Sequence, residues 1–448
     1  MTIDGRLSTL ASTLRHVGRA LRHRNFRIFF LGQGVSVIGT WMQFTALPWV
    51  VYTMTGSNSL LGIVLFCGQL PVLLLTPLAG VVADRFPKRP ILIVTQTLAM
   101  LQAFALAALF YADSLTPGYI ILLAVFLGIV NAFDMPTRQA FVVEMVHSRD
   151  DLSNAIALNS FLFNGARLIG PTLAGFLLAI FGAGVCFLAN ALSFLAVILA
   201  FFLMSLAPRL RSSGPTHLVR QFADGVSYAW HFPPIRAILL LLALVSLVGM
   251  PYAVLMPHFA KVVFAGDART LGFLMAATAV GALLGALYLA ARKSISGLVE
   301  LIPLAVTVFG VSLILFSFST SLLFSLLLLA GAGFGTMVSM AASNTILQTV
   351  VPDDMRGRVM SLFTMSFMGM APFGSIFAGF IADHIGPPRT IFYAGLLSLV
   401  GASVYALRIP ALSRLISPHI PRPEGPPRRS PDPADRDEAG PSPLTPPP

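Results

Sequence analysis

Residues Gly80 to Arg89 read GVVADRFPKR, a small residue followed by one acid and three bases. On either side the chain is greasy: LLGIVLFCGQLPVLLLTPLA occupies 60–79 and PILIVTQTLAMLQAFALAALF occupies 90–110. As a helix, each run is long enough to cross the ~30 Å hydrocarbon core of a bilayer. The charged stretch is therefore a loop between two membrane spans. Bases alone would anchor such a loop at the membrane surface, so the acid Asp84 needs a separate reason.

The same pattern extends over the whole chain. Of its 448 residues, 56% are hydrophobic and 10% are charged, against about a quarter charged in a soluble domain. Twelve apolar runs can be delimited, from 27–54 to 388–409. They are continuous rather than alternating, which excludes a membrane β-barrel. The prediction is an all-α membrane protein with twelve transmembrane helices in a lipid bilayer. The net charge of +11 does not point to nucleic acid, because the bases are dispersed among short loops where topology accounts for them. Cys67 and Cys186 both lie inside spans, far apart, and read as small packing residues. The sequence offers no metal-ligand cluster, nucleotide-binding loop or nucleophile–base arrangement. No metal, cofactor or enzymatic activity is expected.

Three turns between spans are very short: TGSNS at 55–59, GAG at 182–184 and STS at 319–321. Of the 29 Lys and Arg, only Lys261, Arg269 and Arg389 fall on the side of those turns. Arg167 lies inside a span, and the other 25 share the opposite side with both termini. By the positive-inside rule the basic side is cytoplasmic. This predicts a multi-pass protein of the bacterial inner membrane with both termini inside. Residues 1–24 place Leu7, Leu10, Leu14, Val17 and Leu21 on one helical face, with Arg15, Arg19 and Arg22 around it. The pattern is that of an amphipathic helix lying on an anionic membrane, a frayed basic tail being the alternative. It has no cleavage site of a signal peptide.

Two six-helix halves, 25–206 and 236–410, flank a polar linker at 207–235 that carries its own amphipathic set, Leu218, Phe222, Val226 and Trp230. The halves echo each other. DDLSNAIALNS at 150–160 resembles DDMRGRVMSLF at 353–363, and Gly170, Gly175 and Gly182 recur as Gly374, Gly379 and Gly386, a constant shift of 204. Related halves around a midplane site are the architecture of secondary transporters. The Pro-rich residues 411–448 read as a disordered cytoplasmic tail.

GVVADRFPKR resembles the G-x-x-x-D-R-x-G-R/K-R signature of the major facilitator superfamily, in the loop and half where that family carries it. The resemblance covers nearly all of residues 25–410. Within it, NAFDMPTRQAFV, SNAIALNS and ARLIGPTLAG are similar to the enterobactin-exporter-like branch of bacterial efflux carriers. The resemblance implies two pseudo-symmetric six-helix bundles, the major facilitator fold. It also implies a conformational latch made of Gly80, Asp84, Arg85, Lys88, Arg89 and Arg138, closed in the outward-facing state and open as the carrier turns inward. Gly80 would let helices approach closely. Asp84 would face the positive N-terminus of the eleventh span near Met355–Arg358, with Arg138 as a charge partner. Pro87 stands where the family has glycine. The second half offers only GALYLAARK at 285–293, without an acid, so the latch is expected on one side only. The stretch from Ala166 to Gly175 resembles the superfamily's antiporter motif, in which Gly170, Pro171 and Gly175 pack the fifth span against its neighbours; alanines at 166 and 174 depart from it.

A charged side chain at the centre of a span costs at least ~2.5 kcal/mol on insertion scales. Arg167 reads either as a group for an anionic substrate or a neighbouring acid, or as a structural partner of Asp134 or of backbone carbonyls. Asp134, the deepest carboxylate of the first half, precedes Arg138 by four residues, the spacing that brings side chains together on a helix. Proton coupling and a structural pair are both open for it. Glu144, Glu300 and Asp383 sit near span ends and are set aside as coupling groups. Gln33, Ser36, Thr40 and Gln43 interrupt the first span, and Ser343, Asn344 and Gln348 the tenth. With Trp41, Phe44 and Met337 they would line a large apolar cavity, or else bond helices to one another. The expected molecule is a monomeric, proton-driven exporter of a bulky amphipathic small molecule, such as a siderophore or drug, working by alternating access. Uptake of a small anionic metabolite is the alternative, as is a non-transporting sensor or scaffold on the same fold.

Overall fold

The computed structural model describes residues 19–146, 149–205, 218–292, 294 and 297–416. Among these it contains twelve helices long and apolar enough to cross a membrane. In the first half they are α1 (Arg24–Thr55), α2 (Asn58–Arg85), α3 (Lys88–Tyr111), α4 (Pro117–Glu144), α5 (Arg149–Phe181) and α6 (Ala183–Leu203). In the second half they are α7 (Pro233–Val263), α8 (Ala268–Ala290), α9 (Leu298–Phe318), α10 (Leu322–Val350), α11 (Asp353–Ile385) and α12 (Pro387–Ile416). A linker helix, Leu218–His231, joins the halves. The shortest spans, α6 and α9, have 21 residues, or about 32 Å at 1.5 Å per residue. Their ends carry local stop and start signals. Ser57 accepts from the Leu60 amide at the start of α2, Thr116 from that of Tyr119 at the start of α4, and Asp267 from that of Arg269 at the start of α8.

Helices α1–α6 form one bundle and α7–α12 a second, and two pairs cross between them: α5 with α8, and α2 with α11. In lipid, helices gain little from burying apolar surface against each other, so close backbone approach at small residues must hold them. The repeated glycines supply it position by position. A Cβ at Gly170 would lie 2.4 Å from the Trp41 Cβ of α1, and one at its counterpart Gly374 would lie 2.1 Å from the Leu247 oxygen of α7. Both pack a helix within its own bundle. A Cβ at Gly175 would lie 2.9 Å from the Ala268 oxygen of α8, and one at Gly379 would lie 2.4 Å from the Asn58 oxygen of α2. Both bring the bundles together. Gly182 and Gly386 turn the chain at φ +81° and +89°, a region that L side chains rarely adopt. The 204-residue repeat is thus one packing device built twice.

Both crossing pairs touch at the end that carries the short turns, and α2 and α11 part toward the basic end. Along α2 and α11 a Cβ at Gly62 would lie 2.4 Å from the Ser375 oxygen, the Phe66 and Phe373 rings are 5.6 Å apart, and Leu73 still reaches Gly369. Beyond that the helices part. Leu74, Leu78, Met365 and Met368 are exposed, and nothing lies within 4 Å of a Cβ at Gly80. The space between the bundles is closed at the turn end and open at the basic end.

Three boundaries differ from the sequence reading. Residues 19–22 form a short 3-10 turn, and Arg19 and His23 bond Asp151 at the start of α5. This stretch belongs to the first bundle rather than to a surface helix, because the half-buried Asp151 carboxylate holds it there. Residues 1–18 lie outside the described residues. Of the linker expected at 207–235, 207–217 lie outside them too; the helix beyond packs on α11 through Arg358 and Asp224, 3.3 Å apart, and the seventh span already starts at Pro233. The last span runs to Ile416, past the expected limit at 410, and 417–448 are outside the described residues.

Candidate transport cavity and gates

The cavity between the bundles is shaped by a break in α7. Its sequence VSLVGMPYAVLMPHFAKVV holds two prolines, each of which removes a backbone donor and collides with the preceding turn. The helix responds with a π segment at Val245–Gly249, a 3-10 segment at Met250–Leu255 and a second π segment at Phe259–Val263. Helix α11 has its own π segment at Met365–Gly369, just before Pro372. The two irregularities satisfy each other: the Ser246 hydroxyl donates to the Phe367 carbonyl. A freed carbonyl inside a membrane must find such a donor.

Met250, Pro251, Ala253, Val254 and Pro257 of the broken segment form one wall of a cavity of about 150 Å³. Phe44, Thr45 and Pro48 of α1, Leu65 and Gln69 of α2, Leu271 and Met275 of α8 and Ala371 and Ser375 of α11 complete it. The lining is apolar and soft, with two methionines, one aromatic ring and one carboxamide. The proline pair in an apolar run is the sequence signal for this wall, and neither it nor Gln69 is among the residues expected to line the cavity.

The polar residues expected to line a cavity divide. Thr40 is exposed one turn from Phe44 on the same face, its hydroxyl donating to the Ser36 carbonyl at 3.0 Å. Gln43 is buried in the first bundle: it donates to Gln102 at 3.1 Å and accepts from Asn190 at 2.8 Å. It ties α1 to α3 and α6. Gln33 is buried with its amide oxygen unbonded among the described residues. Asn344 is half-buried and accepts from Gln348 at 3.0 Å.

Asp134 is buried and accepts from the Thr95 hydroxyl at 2.9 Å and the Gln96 amide at 2.7 Å, while Arg138 lies 3.3 Å away. Arg138 also stands over the Phe163 ring, 5.1 Å from its centre. The structural pair is therefore Asp134 with Arg138, not Asp134 with Arg167. Arg167 stacks instead on Trp41, 5.8 Å from the ring centre, and Trp41 in turn packs on Phe44 of the cavity wall at 5.2 Å. Among the described residues no carboxylate lies within ion-pair distance of Arg167.

At the basic end the loop residues are not joined across the bundles. Lys88 is buried and bonds Glu144 at 2.6 Å, and Arg89 donates to the Phe202 carbonyl at 3.1 Å. Both partners are in the same bundle. Asp84 and Arg85 are exposed, and Asp84 has no ion pair among the described residues. Pro87 is the cap residue before α3 at φ −58°, which proline adopts without strain. The close approach expected at Gly80 is not made in this conformation, because the helix ends have parted. Arg358, near which Asp84 was expected, is engaged by Asp224.

At the turn end the reverse holds. The Tyr52 hydroxyl of α1 bonds His258 Nδ1 of α7 at 2.7 Å. Asp383, at the end of α11, accepts from the amides of Asn58 and Ser59 at 3.0 and 2.9 Å, from Asn58 Nδ2 at 2.9 Å and from Ser57 Oγ at 3.2 Å. The sequence sets Asp383 aside as a coupling group because it lies near a span end, and that position is where it meets α2.

Residues 19–425 match the model of the transmembrane secretion effector family. The chain is 28% identical over 381 residues to the staphyloferrin A transporter of Staphylococcus aureus, covering 85% of this chain and 95% of that one. It is 28% identical over 400 residues to the multidrug efflux pump Tap of Mycolicibacterium fortuitum, covering 86% and 93%. Among solved structures, a POT family transporter with 5-aminolevulinic acid superposes with a TM-score of 0.69 at 12% identity, over 87% of this chain and 97% of that one. A bacterial homologue of the lysosomal transporter Spinster, in an inward-facing and occupied conformation, gives 0.66 at 14% identity, over 89% and 97%. With twelve spans in two bundles around one cavity, the chain is a small-molecule transporter of the major facilitator fold, and it belongs to the transmembrane secretion effector family.

Proposed function

We propose that the chain exports a bulky amphipathic small molecule, a siderophore or a drug, across a bacterial cytoplasmic membrane in exchange for protons. The observation that carries this reading is the apolar, methionine-lined cavity below a closed turn end, open toward the basic end. With the basic end in the cytoplasm, the described conformation is the one that loads cargo from inside. Soft, weakly directional walls suit large apolar surfaces and tolerate varied shapes. The names of the relatives, a siderophore transporter and a drug pump, support the same class. Transport then follows by rocking residues 25–206 against 236–410, with the end of α2, the turn at Phe86–Pro87 and the start of α3 closing the basic end when the turn end opens.

Arg167 supports a second reading, a small anionic substrate, because its cation has no acidic partner among the described residues. Everted membrane vesicles decide between them. A proton gradient directed out of the vesicle lumen should drive accumulation of fluorescent amphipathic dyes, and a protonophore should abolish it. Accumulation that survives the protonophore would refute proton coupling. Competition by small carboxylates but not by bulky amphipaths would favour the second reading.

A further inference from the structure

We propose that Asp383 and Asp84 are the two ends of one see-saw on the antiparallel pair α2 and α11. Each acid sits at the C-terminal end of its own helix and serves the N-terminus of the other. The inference rests on the alternating-access reading above.

The turn end shows the device engaged. The first amides of a helix have no partner within it, and α2 begins at Asn58. Its own cap, Ser57, accepts only from Leu60, at 3.1 Å. The Asn58 and Ser59 amides are taken by Asp383, which comes from the opposite bundle. A carboxylate on two terminal amides also meets the positive end of the helix dipole. The side chains of Asn58 and Ser57 close around the same two oxygens. A Cβ at Gly379, one turn before Asp383, would lie 2.4 Å from the Asn58 oxygen, so no larger residue would let the carboxylate descend this far.

The basic end shows the mirror arrangement released. Asp84 is the second-last residue of α2, as Asp383 is the third-last of α11. It faces no partner among the described residues, while the α11 N-terminus begins at Asp353. Helices α2 and α11 touch at Gly62 and Ser375, are still in contact at Leu73 and Gly369, and have parted by Gly80. With the contact at Leu73 and Gly369 as the pivot, closing the basic end of the pair opens the turn end. Engagement of Asp84 and of Asp383 is then mutually exclusive, and the free-energy difference between them sets which way the cavity faces. The acid in the basic loop and the acid at the turn end have one explanation.

Spin labels on a chain lacking Cys67 and Cys186 test this in lipid nanodiscs without any substrate. Ser153→Cys with Ser361→Cys spans the basic end, and Ser114→Cys with Ser321→Cys spans the turn end. Asp383→Asn should lengthen the turn-end distance and shorten the basic-end one, changing the ratio of the two states about tenfold or more, the scale of a lost charge-assisted hydrogen bond. Asn58→Ala, which keeps the helix amides, should move both distances the same way by less. Asp84→Asn should move them oppositely, and the double variant should return near the starting ratio. If Asp383→Asn and Asn58→Ala leave the turn-end distance unchanged, or change it with the basic end unmoved, the see-saw is wrong. Because the distances are read without cargo, reciprocal motion without any transport would instead refute the transport reading and leave the see-saw standing.

Discussion

The Tyr52 hydroxyl and Nδ1 of His258 lie 2.7 Å apart, one from each bundle, and their rings meet edge to face. A bond across the closed end stabilises only the conformation in which that end is closed. Tyr52→Phe keeps the ring and removes the bond. A net hydrogen bond contributes about 1 kcal/mol, roughly fivefold in a two-state ratio. Tyr52→Phe is expected to raise the turn-end-open population by that factor, read from the distance between spin labels at Ser114→Cys and Ser321→Cys. An unchanged distance distribution would mean that the bond is incidental to closure.

Asp134 is the acceptor for three side chains on two helices, and its loss strands Arg138, whose side chain is 16% exposed. Breaking a buried pair by removing one member costs about 3–5 kcal/mol. Asp134→Ala should lower the melting temperature sharply, and Asp134→Asn with Arg138→Gln should recover much of it. A melting curve in detergent that overlays the wild type for Asp134→Ala would rule out the structural role.

Arg167 strands no acid when removed. Its visible partner is the Trp41 ring, and a cation–π contact contributes on the order of 1 kcal/mol. Arg167→Ala should therefore melt close to wild type and lose transport. Arg167→Lys keeps the charge without the planar, stacking fork and should lose most of it as well. Normal export by Arg167→Ala would remove this residue from the cargo path.

The glycines separate bundle integrity from bundle closure. In Gly281→Ala the new Cβ would lie 1.8 Å from the Ala330 oxygen inside the second bundle, and overpacking of this kind costs about 1–3 kcal/mol. In Gly175→Ala it would lie 2.9 Å from the Ala268 oxygen, across the bundles. Gly281→Ala should melt early, whereas Gly175→Ala should melt near wild type and shift toward the turn-end-open state. Equal melting losses in both would contradict two independently packed bundles.

Topology is checked with thiol reagents on intact cells, again without Cys67 and Cys186. Ser114→Cys at the turn end should label from outside, and Ser153→Cys at the basic end only after permeabilisation. Labelling of Ser153→Cys from outside would invert the orientation proposed here.

Twelve spans, their alternating direction, the charge asymmetry and the glycine repeat were all legible in the sequence. The reason is physical: bilayer thickness sets the length of an apolar run, and close helix approach demands a missing side chain wherever it occurs. Both are local demands on a segment. The partners of individual polar groups were not legible. A span apolar on all sides carries little signal of which face turns inward, so whether Asp134 meets Arg138 or Arg167 depends on how α4 and α5 are rotated. Gln43 looked like cavity lining and binds Gln102 and Asn190. Asp383 lies 325 residues from Asn58, and only the crossing of α11 over α2 brings its carboxylate to those amides. The direction in which the cavity opens is likewise a property of two bundles tilted against each other, and no single segment contains it.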